Sequence, residues 1–144
     1  MKHEKVLFVY ATLIREGMAA SGYYPPDSVL FDINHNKTYS LAVTVGFVYK
    51  SDVVYWNEID ITFENTSVID QKHDGESTFN VLGSSRPNSS EIVNVASFYL
   101  KGVNLPKSGM YTAVVSLFDS DESGKKQNFI DKKECCFIVA ESKK

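Results

Sequence analysis

From Tyr39 to Lys50 the chain alternates without a break: Tyr39, Leu41, Val43, Val45, Phe47 and Tyr49 fall on one side of an extended backbone, and Ser40, Ala42, Thr44, Gly46, Val48 and Lys50 on the other. A helix would scatter the first set around its circumference, whereas a strand gathers it on one face, so the run dictates a long core strand. Ile59, Ile61 and Phe63 repeat the pattern against Asp60, Thr62 and Glu64. The segment Lys50 to Glu58 is therefore expected to connect two neighbouring strands.

A second unit runs from Phe98 to Asp119. Tyr111, Ala113, Val115 and Leu117 share one face, while Thr112 and Ser116 suit water and Met110, Val114 and Phe118 leave the other face only partly polar. Pro106 and Gly109 bracket Lys107 and Ser108, a fixed φ followed by a permissive one, so the chain turns there. Elsewhere, Val6 to Leu13 and Met18 to Tyr23 read as strands joined at Ile14 to Gly17, with a short helix over Ala11 to Ala20 as the competing reading. Pro25-Pro26 ends that unit. Val29 to Ile33 is a short strand, and Asn34-His35-Asn36 a turn. Ser67 to Gln71 and Thr78 to Leu82 flank Asp74-Gly75, a hairpin signal. Gly83 to Ser90 is a loop, and strands resume at Ile92 to Leu100, Met110 to Phe118 and Glu134 to Ala140. Short strands between turn signals predict an all-β chain: a single antiparallel β-sandwich domain over 1–144, immunoglobulin-like or jelly-roll-like, with about eight or nine strands and little helix.

Composition narrows the partners. Fifteen Lys and Arg stand against 18 Asp and Glu, a net charge of -3, so no basic field exists to hold a phosphate backbone and nucleic acid is not an expected partner. The apolar run Val6 to Ile14 is too short to cross a bilayer, and Arg15-Glu16 precede Met18-Ala19-Ala20-Ser21, where a leader would be cut. A strand, no membrane association and a cytoplasmic location are the expectation. Cys135 and Cys136 are adjacent, hence on opposite faces of a strand, and are read as two free thiols.

The segment Gly109-Met110-Tyr111-Thr112-Ala113 resembles the tyrosine corner of immunoglobulin-like sandwiches, in which a tyrosine near a strand start bonds back to upstream backbone. Ala113 stands where antibody domains carry cysteine, and Lys107 where an acidic residue is usual. With the two ends, VLFVYATLIREG and KECCFIVA, the chain also resembles uncharacterised bacterial β-sandwich proteins, a resemblance that implies a fold and no activity.

For chemistry, Asp119, Asp121, Ser123 and Gly124 match the opening of a calcium loop, but Ile130 occupies the twelfth position, where a bidentate Glu belongs, so a solvated hairpin tip and no metal are expected. His3, His35 and His73 lie far apart, and no nucleophile elbow, phosphate loop or zinc motif is present. The chain reads as non-catalytic and without a cofactor. Val53-Val54-Tyr55-Trp56 is the remaining anomaly, four apolar residues where a connection should be polar. It reads as a strand buried on both faces, as an edge strand with Trp56 as a core plug, or as an exposed patch, which Tyr23 and Tyr24 extend. The expected function is an interaction module that binds another protein or a second copy of itself through an apolar patch or edge strand. The alternative is a small-ligand or carbohydrate-binding sandwich, with Tyr55 and Trp56 stacking on a sugar and the acidic loop holding calcium.

Overall fold

The computed structural model describes residues 4–18, 24–50, 52–69, 73–75, 79–84 and 91–141. Ten strands run through them: β1 (Lys5–Leu13), β2 (Val29–Leu30), β3 (Thr38–Lys50), β4 (Tyr55–Phe63), β5 (Thr66–Ser67), β6 (His73–Gly75), β7 (Phe79–Ser84), β8 (Glu91–Asn104), β9 (Gly109–Ser120) and β10 (Lys126–Val139). No helix occurs among the described residues, and Ala11 to Leu13 finish β1 instead of opening one.

The long alternating run forms β3, the second strand of a four-stranded sheet ordered β1-β3-β8-β7. The other sheet is ordered β2-β10-β9-β4-β5, with β6 also paired to β4. Every pairing is antiparallel except the short parallel contact of β2 with β10. The inward rows of both sheets belong to one hydrophobic cluster: Leu41, Val43, Val45 and Phe47 from β3 and Phe98 from β8, with Ile59 and Ile61 from β4 and Val115 and Leu117 from β9. The result is a two-sheet, sandwich-like architecture, the layering that strands with one apolar face require.

Tyr111 anchors one end of this core. Its ring is fully buried, stacked on Phe63 at 4.5 Å and on Phe137 at 5.6 Å between centroids. Its hydroxyl donates to the Lys107 carbonyl at 2.6 Å and accepts the Lys107 N–H at 3.2 Å. The turn Pro106 to Gly109 is thereby tied to the strand that follows it, and both backbone polar groups of Lys107 are satisfied by one side chain.

Four local expectations are corrected. The segment after Lys50 does not join neighbours in one sheet: β3 lies in the four-stranded sheet and β4 in the other, and β4 already begins at Tyr55. The link crosses the end of the molecule because both strands send apolar rows inward, and the rings of Tyr49 and Tyr55 meet there, 4.2 Å apart. Asp74-Gly75 is not a hairpin turn either, since Glu58 pairs with Asp74 and Asn57 with Gly75, while β7 pairs with β8 in the opposite sheet. The open edge of β4 offers ladder hydrogen bonds that override the local turn preference. The two-residue hairpin on this strand lies earlier, at Glu64 and Asn65, both at positive φ (52° and 66°), between the partners Phe63 and Thr66. The expected strand at Val29 to Ile33 shrinks to β2, where Leu30 is buried, and β10 starts eight residues before the expected Glu134. The second arm of the first expected hairpin falls on residues 19–23, outside the described residues.

Edges are managed by side chains. The Val6 N–H of β1 donates to Asp131 of β10 at 2.9 Å, and the Leu13 N–H to Asp27 at 2.7 Å. Asp27 returns its own N–H to the Ala11 carbonyl at 2.9 Å. Carboxylates thus occupy donors that an exposed edge strand would offer to another chain.

Candidate functional site

Alternation sorts the expected patch into two fates. Tyr55 points inward, half-buried, with its ring on Tyr49. Its hydroxyl donates to Glu4 at 2.6 Å and accepts the Lys50 N–H at 2.8 Å. Trp56, one residue on, points outward and is half-buried beside Glu58, 3.4 Å from the indole nitrogen. Val54 is 62% exposed, and its carbonyl accepts the Ser120 N–H, so the β4–β9 ladder continues through it on the Trp56 side. Val53 is half-buried in the turn closed by its N–H on the Lys50 carbonyl. Tyr24 does not extend this group: its carbonyl accepts the Tyr10 hydroxyl at 2.7 Å, placing it along β1 in the other sheet. Tyr23 lies outside the described residues.

Between the sheets, Tyr49, Tyr55 and Asn57 form a polar end to the core. The Tyr49 hydroxyl lies 3.4 Å from the Asn57 side-chain oxygen and 3.3 Å from its nitrogen. Burial pushes both phenols well above the ordinary tyrosine value, and the neighbouring Glu4 carboxylate adds to the effect on Tyr55. A raised folded-state value means that this stability is complete below the unfolded value near 10 and is lost as pH climbs towards the folded one. Once the unfolded chain has ionised, Tyr49 alone lowers stability by about 1.4 kcal/mol per pH unit. Ultraviolet titration of tyrosinate is therefore expected to show a late fraction that ionises only together with loss of the folded circular dichroism signal. Independent ionisation of all tyrosines near pH 10 with the fold intact would contradict this packing.

In the acidic loop, Asp121 and Asp119 are both bonded within the chain. One oxygen of Asp121 accepts the Ser123 N–H, the Ser123 hydroxyl and the Lys125 N–H at 2.9, 2.7 and 2.9 Å. These bonds hold the Asp121 carboxyl below its ordinary value, the Ser123 hydroxyl first among them. Asp119 accepts the Asn128 N–H at 2.8 Å. This is an Asx-type hairpin tip built by local side-chain bonds. The His35 ring nitrogen Nδ1 lies 2.7 Å from the Leu105 carbonyl and ties one turn to another. Cys135 is half-buried, its thiol pushed up by burial, while Cys136 is exposed on the outer face, its sulfur 3.7 Å from the Thr112 hydroxyl.

What the fold does assemble is the outer face of β4, β9 and β10. The register places Trp56 beside Phe118 and Phe118 beside Phe129; Glu58 beside Ser116 and Ser116 beside Lys132; Asp60 beside Val114 and Val114 beside Glu134. Directly paired residues project to the same side, so these three rows form one surface. Phe129 is 57% exposed and packs edge-on against Phe118 at 5.7 Å. Lys126 reaches over the Phe118 ring at 4.9 Å to pair with Glu58 at 2.7 Å. At the far end, Met110 is 59% exposed beside Ile138, which pairs in turn with Val29 at 38%. Between them lies a shallow hollow of about 240 Å³ lined by Glu58, Asp60, Val114, Ser116 and Lys132 among others.

Phe118 carried a warning in the sequence, since with Met110 and Val114 it leaves the outer face of its strand only partly polar. Phe129 and Lys126 carried none, because Lys126 to Lys133 has no alternation and enters the ladder through irregular register at Phe129. Compared with known proteins, the chain matches no family model and no curated relative.

Proposed function

We propose that this chain is a non-catalytic protein-docking module that meets its partner through the outer face of β4, β9 and β10. The observation that carries the reading is the set of large apolar side chains on a sheet face that alternation would make polar: Val54, Phe118, Phe129 and Met110, with Trp56 among them. Burying Trp and Phe anchors inside a charged surround is how protein interfaces concentrate their affinity. A face is favoured over an edge because Asp27 and Asp131 block backbone donors of β1, and β5 and β6 cover parts of β4. The sugar-binding reading draws no support from Tyr55, whose ring and hydroxyl are both engaged within the chain.

The immunoglobulin-like assignment belongs to the same proposal. Its support is the order β1-β3-β8-β7 opposite β10-β9-β4, which corresponds to the A-B-E-D and G-F-C arrangement of constant-type domains, and the Tyr111 bond to Lys107. In that arrangement the proposed face is the outside of the G-F-C sheet.

A photoreactive phenylalanine analogue at position 129 tests the docking reading whatever protein the partner is. Cross-linking to protein is expected at Phe129, strongly reduced by Val54→Ser, and weak for the same analogue at Phe8 on the four-stranded sheet. Val54→Ser itself is expected to change stability by no more than about 0.5 kcal/mol, as for other surface sites. Equal cross-linking at both positions would contradict the assignment.

A further inference from the structure

We infer that the occupant of this face is a second copy of the chain, seated by a two-fold axis that runs along β9. The inference rests on the docking reading above and adds the partner and its register. The face is self-complementary in only one of the two simple face-to-face arrangements. Its β4 margin is acidic, with Glu58 and Asp60; its β10 margin carries Lys126 and Lys132 against the single carboxylate of Glu134. The apolar groups lie at the two ends of the strands.

A two-fold axis across the strands would set β4 on β4 and bring Glu58 and Asp60 against their own copies. An axis along β9 instead sets the β4 margin of one copy on the β10 margin of the other. Because Glu58, Ser116 and Lys132 occupy one level of the ladder, that operation lays Glu58 over Lys132 of the second copy, twice per dimer, with Ser116 near the axis. The level of Trp56, Phe118 and Phe129 meets itself in the same way, Trp56 opposite Phe129 and Phe118 opposite Phe118. Met110 meets Met110 at the other end. Isologous contact of this kind is the usual route to a soluble homodimer. Asp60 and Glu134 also share a level, where Asp60 accepts the Ser67 hydroxyl at 2.6 Å and the Ile61 N–H at 2.8 Å; Glu58 lies 2.7 Å from Lys126 and Lys132 lies 3.6 Å from Glu134 in their own chain, so the Glu58–Lys132 contact joins two intrachain ion pairs.

Charge exchange separates this arrangement from any other. Glu58→Lys and Lys132→Glu are each expected to weaken dimerisation by about tenfold or more, because each reverses two symmetric contacts, and the double variant to return to within about threefold of wild type. Sedimentation equilibrium measures all four proteins, with thermal melting to confirm that each is folded. Wild type mixed with the double variant is expected to form fewer mixed than pure dimers, since two like-charged contacts then face each other. A wild-type chain that stays monomeric to about 1 mM, the weak limit of useful affinity, would overturn the second-copy inference and leave the docking reading to its own cross-linking test. A dimer in which the double variant is no tighter than the single ones would overturn the register. A dimer indifferent to Phe129→Ser would place the contact on another surface and overturn the second-copy inference, leaving the docking reading to its own cross-linking test.

Discussion

Tyr111→Ala is expected to lower the unfolding free energy by about 3–5 kcal/mol, the range for deleting a large buried aromatic, and Tyr111→Phe by about 1 kcal/mol. The ring is the centre of a stack with Phe63 and Phe137, and all three come from the sheet that carries the proposed face. Its removal leaves a cavity between β4, β9 and β10 that rigid strands fill poorly. The phenylalanine variant keeps the stack and loses only the two bonds to Lys107. Urea denaturation measures both. A Tyr111→Ala midpoint equal to that of wild type would mean that Tyr111 is not holding the turn.

The adjacent pair Tyr55 and Trp56 is expected to divide cleanly. Tyr55→Ser costs about 2–3 kcal/mol, less than a fully buried aromatic because the residue is half-buried, but well above Trp56→Ser. The difference follows from direction. Tyr55 stacks on Tyr49, holds Glu4 and satisfies the Lys50 N–H, so it closes the link that carries the chain from one sheet to the other. Trp56 rests on the outer surface, with Glu58 as the hydrogen-bond partner of its indole. Paired denaturant titrations are sufficient to decide the point. If Trp56→Ser proves the more destabilising of the two, Trp56 is a core residue and the proposed face loses its central anchor.

The strands that alternate strongly were legible from residues alone. Leu41 to Tyr49, Ile59 to Phe63 and Tyr111 to Leu117 all lie in strands with the expected side inward, because period-two patterning and burial are the same physical demand. Partner choice was not legible. Nothing in Lys50 to Tyr55 says that the next strand joins the opposite sheet, since crossing over the end and turning back within a sheet need similar lengths of chain. Asp74-Gly75 misled for the reason that a turn dipeptide records local preference only, while the open edge of β4 acts from more than ten residues away. The expected patch failed to register as two opposed residues because a run of four apolar side chains hides the phase of its own alternation. Two aromatics of the face could be seen in the sequence, Trp56 in the apolar run and Phe118 on a strand face only partly polar; Phe129 needed the ladder to bring it alongside.

The most direct measurement of the central claim, that this sheet face is open in the free chain and covered on association, is the fluorescence of Trp56, the only tryptophan. In dilute protein its emission is expected to be red-shifted and readily quenched by acrylamide, moving to shorter wavelength and resisting the quencher when the face is covered at high concentration. Blue, unquenchable emission at every dilution from a species with the mass of one chain would contradict the claim, because the indole would then be buried by the chain's own residues.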